Sequence, residues 1–396
     1  MTNKKLKIGL IGFGVVGEGI YQVLKNTPSL DAEIVKIGIK NSSKERNAPS
    51  ELFTNDVQSI INNPNINVIV ELIDDDIAAY QIVKQSLLNK KAVVSANKKM
   101  IAAHQKELIE LQKENNVPLL YEAAVGGSLP IIRNLEEYYD NDLLQSFEGI
   151  INGSTNYILG KLQENNLSFS EALSLAQKLG FAESNPHIDV SGEDAVNKLG
   201  IILNHAFGIV IDTQQIVRHG ITNIKKEDIA FAKEKNYKIK LIANAKIDEN
   251  QRITASVLPT FIQSNEIFFN IDQENNGIAL GSSFSDKQFF SGKGAGRYPT
   301  ASAVLSDISA LRYDYKYEYR KYNAKLENKL VNDCDVKVYV NFNNWQTIDK
   351  NCFTTIEETF ESKTNKYLIG WLPSESINKE SWIQDTSVSL IHFQNN

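Results

Sequence analysis

Along the first 125 positions the apolar residues fall into two alternating patterns. Short apolar runs at Lys7–Ile11, Glu33–Ile39, Asn67–Ile73, Ala92–Ala96 and Leu119–Val125 read as strands. Between them Val15–Lys25, Ile77–Asn89 and His104–Asn115 repeat apolar residues at helical spacing. Strands separated by helices of this length require parallel crossovers. The pattern therefore predicts an α/β unit over residues 1–125, a doubly wound parallel sheet.

From Gly126 the rhythm changes. Leu129–Tyr139 reads as a helix and Leu143–Ile151 as a strand, followed by helices near Ser170–Leu179 and Glu193–Phe207. Lys238–Ala245, Ile253–Leu258 and Glu266–Ile271 are strand-like. This predicts an α+β domain over 126–298, a sheet with helices on one face. Pro299–Leu311 reads as one more helix, so that 299–312 returns to the first domain. Then Tyr313, Tyr315, Tyr317 and Tyr319 alternate with charged residues, which places four rings on one face of a strand. A packed sheet face and an aromatic platform for bases both fit that period. Residues 321–396 hold all three tryptophans and both cysteines. Their order is strand Asp335–Phe342, helix Thr354–Glu361, strands Tyr367–Leu372 and Val388–Phe393, which predicts a small C-terminal α+β domain.

Charge narrows the function. A formal net charge of −6 supplies no basic field for nucleic acid and favours packing over base stacking for the tyrosines. No apolar run approaches the ~20 residues of a membrane span, and Met1–Lys7 leads straight into a strand too short for a signal-peptide core. Cys334 and Cys352 make no disulfide framework, which points to a reducing cytoplasm.

The chemistry begins at Gly12, Gly14 and Gly17, a G-x-G-x-x-G that follows a strand and opens a helix. In that setting the glycines allow a tight turn, close approach to a pyrophosphate and close helix–strand packing. Phe13, Val15 and Val16 complete the turn. After the second strand, where an NAD site usually places an acid, stands Lys40, with Arg46 six residues on. Beyond a solvated loop, these cations suit a 2′-phosphate and tilt the cofactor from NAD toward NADP. No cysteine precedes Cys334, which excludes a thiohemiacetal mechanism and leaves alcohol–aldehyde exchange. Among the five histidines, His205 reads as structural. The acid/base group must then be a lysine or a carboxylate, and the candidates gather in Leu179–Lys198. Gly180 reads as a helix C-cap and Ser191 as the N-cap of the next helix. Asp194 and Lys198 share a helical face. A capping motif with an exposed salt bridge accounts for that spacing as well as a catalytic pair does.

Six segments in this order together resemble homoserine dehydrogenase: 12–17, 93–98, 122–131, 149–159, 179–198 and 292–301. The resemblance spans roughly the first 310 residues. It implies oxidation of L-homoserine to L-aspartate 4-semialdehyde, and the reverse, by a cytoplasmic homodimer. It implies Lys198 as proton donor and acceptor. Gly180, Glu183, Asp189 and Asp194 would hold the substrate, and Lys98, ending a strand, would reach cofactor and substrate. Gly294 and Gly296 would close backbone over the cofactor. A sodium ion would sit on the carbonyls of Glu122, Val125, Gly127 and Leu129. Lysine is a poor base at its free pKa of ~10.4, so burial or a second cation must lower it.

Two departures stand out. Where the family has Gly-Gly, this chain has Asp74-Asp75-Asp76. One such charge at ~8 Å from a phosphate costs about 2 kcal/mol, which motivates the alternative of a weak or inactive regulatory homologue. The tail follows the strand order of a degenerate ACT-like domain but lacks its Asp-x-Pro-Gly turn. That argues against feedback by threonine. A homodimer would also cover strands such as Ile253–Leu258.

Overall fold

The computed structural model describes residues 5–394 apart from 43, 142 and 166. The chain packs as two units. One comprises Met1–Asp142, Ile201–Val210 and Lys293–Lys325; the other comprises Leu143–Gly200, Ile211–Gly292 and Leu326–Asn396. No helix among the described residues is long and apolar enough to cross a membrane.

The first unit is built on a parallel sheet. Its spatial order is Phe53–Thr54, Ala32–Gly38, Leu6–Ile11, Val68–Glu71, Ala92–Ser95, Leu119–Leu120. Every neighbouring pair is parallel. In chain numbering this is 3-2-1-4-5-6, the doubly wound order expected from the sequence. Ile8, Leu10, Ile69, Val70, Val93 and Val94 are fully buried, as apolar runs covered by helices on both faces require. The order reverses between Leu6–Ile11 and Val68–Glu71, and a crevice at the carboxyl ends of such strands is where this topology binds ligands. Helix Arg297–Leu311 packs on helix Val15–Asn26: a Cβ added at Gly19 would meet the Arg297 side chain at 3.0 Å.

The tyrosine run departs from expectation. Residues 315–319 lie in no strand. Tyr313 stays exposed, whereas Tyr317 and Tyr319 are buried. The Tyr317 hydroxyl accepts from the Tyr121 N–H at 3.2 Å, and the Tyr319 hydroxyl lies 3.0 Å from that of Tyr121. Alternation here serves burial, with side-chain partners in place of a ladder. Likewise the strand expected over Leu119–Val125 stops at Leu120 and turns into the short helix Glu122–Ala124.

The second unit holds a mixed sheet, eleven-stranded among the described residues. Its main path runs Asp286–Lys293, Asn275–Ser282, Leu144–Ile150, Tyr237–Ile247, Arg252–Gln263, Ser389–Phe393, Asp335–Phe342, Lys366–Pro373, Thr355–Glu361. Residues 321–396, expected as a domain of their own, thus add their strands to this sheet. Thr260 and Phe261 pair in parallel with His392 and Phe393. The core is shared as well: Val217 and Leu258 pack with Val338, Phe342, Leu372 and Trp382. Strand 253–258 is covered within the chain, so it offers no edge to a second subunit.

Three local expectations also change. Thr354–Glu361, expected as a helix, is the edge strand Thr355–Glu361, where Glu357 pairs with Lys337 and Phe360 stacks on Tyr367. Ile356 and Phe360 are spaced as on a helix, but cross-strand partners decide. Glu266–Ile271 is a 3-10 turn, Ile267–Asn270, rather than a strand. Helices Gly153–Asn165 and Lys226–Glu234 and strands Asn275–Ser282 and Asp286–Lys293 were not anticipated.

Candidate active site

In the first unit the glycine turn follows strand Leu6–Ile11. Gly12 has φ +100°, and a Cβ there would meet the Leu72 carbonyl oxygen at 2.7 Å. A Cβ at Gly17 would meet the Gly12 oxygen at 2.3 Å, so helix and turn pack backbone to backbone. Gly14 is the N-cap of helix Val15–Asn26 and offers no side-chain cap, while a Cβ there would point into open space. The first-turn N–H groups are therefore presented as an anion cradle. Phe13 packs edge-on against Tyr21 and Phe53; Val15 is exposed and Val16 half-buried.

Lys40 is exposed just beyond strand Ala32–Gly38. Arg46 instead folds back, its guanidinium donating to the carbonyls of Asn41 (2.5 Å) and Lys44 (2.6 Å) above the Phe53 ring. It shapes the loop that carries Lys40.

Lys98, expected to end a strand, opens helix Lys98–Asn115 and is capped by Asn97, whose side chain accepts from the Met100 N–H at 2.9 Å. Two lysines at a helix N-terminus oppose the macrodipole by about 0.3–1 kcal/mol each, a cost that an anionic ligand would offset. The acidic loop resolves differently. Asp75 caps helix Asp76–Leu88 by accepting from the Ala78 N–H, and Asp76 pairs with Lys99 at 3.1 Å. Two of the three acids thus have local partners.

The loop from Glu122 is held by its own carboxylate. Glu122 Oε1 accepts from the N–H groups of Ile131 (2.6 Å) and Ile132 (2.8 Å), and Oε2 from that of Arg133 (2.9 Å). Burial pushes this carboxyl up, and the N–H groups of Arg133, Ile132 and Ile131 oppose it. Gly127 adopts φ +62°, and a Cβ there would meet the Gly294 oxygen at 2.2 Å. Gly294 therefore meets Gly127, while Gly296, at φ +118°, starts helix Arg297–Leu311 without a side-chain cap.

In the second unit the candidates converge on Ile151 and Asn152, at the end of strand Leu144–Ile150. Lys198 Nζ lies 2.7 Å from Asp194 Oδ2 and donates to the Ile151 carbonyl at 2.8 Å. The side chains are 11% and 2% exposed, which rules out a solvated surface pair. Asn152 Nδ2 donates to Asp189 Oδ1 (2.7 Å) and Asp194 Oδ2 (2.9 Å), while its Oδ1 accepts from the Thr155 N–H (2.8 Å). One amide thereby separates two carboxylates and caps helix Gly153–Asn165.

Ser191 is not the N-cap foreseen. It closes the short helix His187–Val190, and Gly192 at φ +81° starts helix Glu193–Phe207. Asp194 lies in the first turn of that helix. Gly180 has φ +78°, with its N–H on the Gln177 carbonyl and the Phe181 N–H on that of Ala176, a Schellman end to helix Phe169–Lys178. Glu183 follows on an exposed turn, its carbonyl accepting from Gln177. His205 is buried between Tyr121 (2.9 Å) and Glu136 (2.5 Å), a structural position.

Sequence reasoning did not single out Asn152. Its signal was Asn-Gly-Ser-Thr at a strand end, an N-cap followed by a helix.

A doubly wound parallel sheet with this glycine turn, and a buried lysine–carboxylate pair in a chain without a candidate cysteine nucleophile, define a nicotinamide-dependent oxidoreductase of the alcohol–aldehyde class. Two family models match the chain, "Homoserine dehydrogenase, NAD binding domain" over residues 12–122 and "Homoserine dehydrogenase" over 130–309. The homoserine dehydrogenase of Helicobacter pylori is 39% identical over 312 residues, 77% of this chain and 73% of that protein. That of Synechocystis is 36% identical over 313 residues, 76% and 72%. The crystal structure of a homoserine dehydrogenase from Thiobacillus denitrificans gives a TM-score of 0.86 at 27% identity, covering 99% of both chains. The chain belongs to the homoserine dehydrogenase family, oxidoreductases of amino-acid biosynthesis that interconvert L-homoserine and L-aspartate 4-semialdehyde.

Proposed function

We propose that Lys198 is the acid/base group of this interconversion. The buried Lys198–Asp194 pair, seated on the Ile151 carbonyl, is the observation that carries the reading. A bound nicotinamide supplies the hydride acceptor for the alcohol carbon. The hydroxyl proton passes to the Lys198 amine as the aldehyde forms, and returns from it in the reverse reaction. Asp194 and Asp189, kept apart by Asn152, and Glu183 on the turn after Gly180 suit the α-ammonium of homoserine. Lys98, at the start of helix Lys98–Asn115, supplies positive charge to the cofactor.

The cofactor reading is NADP in preference to NAD. Its support is the exposed Lys40 where an acid would hold ribose hydroxyls, and the absence of any such acid at Lys40–Asn41. Gly12, Phe13, Gly14, Val15, Val16 and Gly17 form the pyrophosphate turn, and Gly294 and Gly296 complete it. Against the weak or inactive alternative stand the local partners of Asp75, which caps a helix, and of Asp76, which pairs with Lys99, leaving Asp74 as the acid on which that alternative rests.

A sodium ion fits the loop through carbonyls alone. The Glu122 carboxylate already accepts from three N–H groups that hold the loop, and the ligands of this reading are the carbonyls of Glu122, Val125, Gly127 and Leu129. The same reading places the enzyme in a cytoplasm, with Cys334 and Cys352 as free thiols, and makes it a homodimer. Support for the dimer is the exposed edge strand Thr355–Glu361, whose Ile356 and Phe360 face solvent.

The test is Lys198→Ala in a nicotinamide absorbance assay with L-homoserine. A fall in kcat of at least ~10² with cofactor affinity unchanged is expected of an acid/base residue. Parallel loss of cofactor binding would make Lys198 positional and end the proposal.

A further inference from the structure

Glu71 ends the strand beside the point where the parallel sheet reverses, and it is fully buried. Its Oε1 accepts from the Ile73 N–H at 2.7 Å and its Oε2 from the Ser95 hydroxyl at 2.6 Å. Ser95 Oγ accepts in turn from the Asn97 N–H at 3.1 Å, and Asn97 Nδ2 donates to the Ile73 carbonyl at 3.0 Å. Four residues from two adjacent strand ends close a ring. One side of it starts the Asp74–Asp76 loop; the other starts the helix that opens with Lys98.

Folding does not call for a carboxylate here. Glu71 and Ser95 already face each other in a paired register, and an apolar pair at such a place is commonly as stable or more so. What the ring adds is geometry: it ties the loop on the crevice to the residue that carries the Lys98 ammonium.

We propose that Glu71 is a positioning residue, which through Ile73, Ser95 and Asn97 sets the place of Lys98 and of the adjoining loop for the cofactor. The proposal rests on the assignment of Lys98 and the crevice to the cofactor. Burial pushes the Glu71 carboxyl up to about 7; the bonds from Ser95 and Ile73 oppose the shift and the charge of Asp74 adds to it. Asp74 is the charged group acting on it. Above that pH the carboxylate accepts both bonds; below it one oxygen carries a proton and the ring loses an acceptor. Cofactor affinity therefore falls as pH drops through about 7.

The experiment titrates full-length enzyme with NADPH by fluorescence across this pH range, alongside steady-state kinetics. Glu71→Ala and Ser95→Ala are expected to raise the NADPH Kd at least about fivefold, as loss of a charge-assisted hydrogen bond does, and to lower kcat while the homoserine KM holds. Glu71→Gln, which like the protonated acid keeps one acceptor and gains a donor toward Ser95, is expected to bind NADPH with the wild type's low-pH affinity at every pH and so to lose the step near neutrality. Wild-type NADPH affinity in folded Glu71→Ala, or a step that persists in Glu71→Gln, would overturn the proposal. Lys98→Ala tests the underlying reading by itself: unchanged NADPH affinity and turnover there would remove Lys98 from the site whatever the Glu71 variants do.

Discussion

Replacing Asn152 by alanine removes three hydrogen bonds together: those to Asp189 and Asp194, and the one accepted from Thr155. A hydrogen bond to a charged group is worth about 1.5–3 kcal/mol and a helix cap about 1 kcal/mol. Asp189 is half-buried and regains water, which places its loss at the low end. Asp194 is 2% exposed, out of reach of replacement by water, which places its loss at the high end. A destabilisation of about 5–6 kcal/mol follows, a large share of the roughly 5–15 kcal/mol that holds most domains folded. Asn152→Asp should do similar damage by another route. A third carboxylate about 3 Å from two others is opposed by about 5 kcal/mol per pair at an effective dielectric of 20. The introduced acid would be protonated more readily in the folded state than in the unfolded one, so stability should recover as pH falls from neutral toward about 4.

The assay is urea unfolding followed by tryptophan fluorescence, since Trp345, Trp371 and Trp382 all lie in the second unit and report on it alone. Turnover is measured in parallel. Displacing Lys198 and Asp194 by about 1 Å should lower kcat about 10²-fold. An Asn152→Ala enzyme within about 1 kcal/mol of wild type and with unchanged kcat would refute the clamp. So would an Asn152→Asp enzyme whose stability ignores pH.

Two further outcomes are expected. Lys40→Glu should raise the KM for NADP+ at least about tenfold and leave that for NAD+ within about twofold, because it replaces the phosphate's cation by an anion; an unchanged ratio in steady-state kinetics would return Lys40 to a solvated loop. Truncation after Lys325 should leave the second unit unable to fold cooperatively, since it strips Val338, Phe342, Leu372 and Trp382 from the core that covers Leu258; a soluble truncated chain that still oxidises homoserine would show that the tail is a dispensable addition.

Much of the candidate site was legible because its signals are local. Gly12, Gly14 and Gly17 sit at fixed spacing on a strand–turn–helix, and the backbone contacts they permit follow from that spacing. Asp194 and Lys198 are one helical turn apart, so their pairing needed no tertiary information. Whether the pair is exposed or buried was not legible. That depends on Ile151 and Asn152, more than forty residues upstream, which meet it only in the folded unit. For the same reason Ser191 misled: a serine three residues before an acid matches a capping box, yet the left-handed Gly192 starts the helix. Nor did the run of acids at 74–76 show that Asp76 pairs with Lys99 and that Asp75 accepts from the Ala78 N–H.

The sequence by itself determined the doubly wound unit, because each strand is an uninterrupted apolar run and each helix an amphipathic one, and such periods are read within a dozen residues. It also determined the chemical class, by placing a lysine and acids where a cysteine nucleophile was absent. Only the tertiary structure decided that the last strands extend the sheet of the second unit, that Thr355–Glu361 is an edge strand, and that Glu71, Ser95 and Asn97 close a ring around Ile73. The physical reason is common to all three. Strand partners and buried polar partners are chosen by contacts between segments far apart in the chain, and no local period encodes which distant segment will supply them.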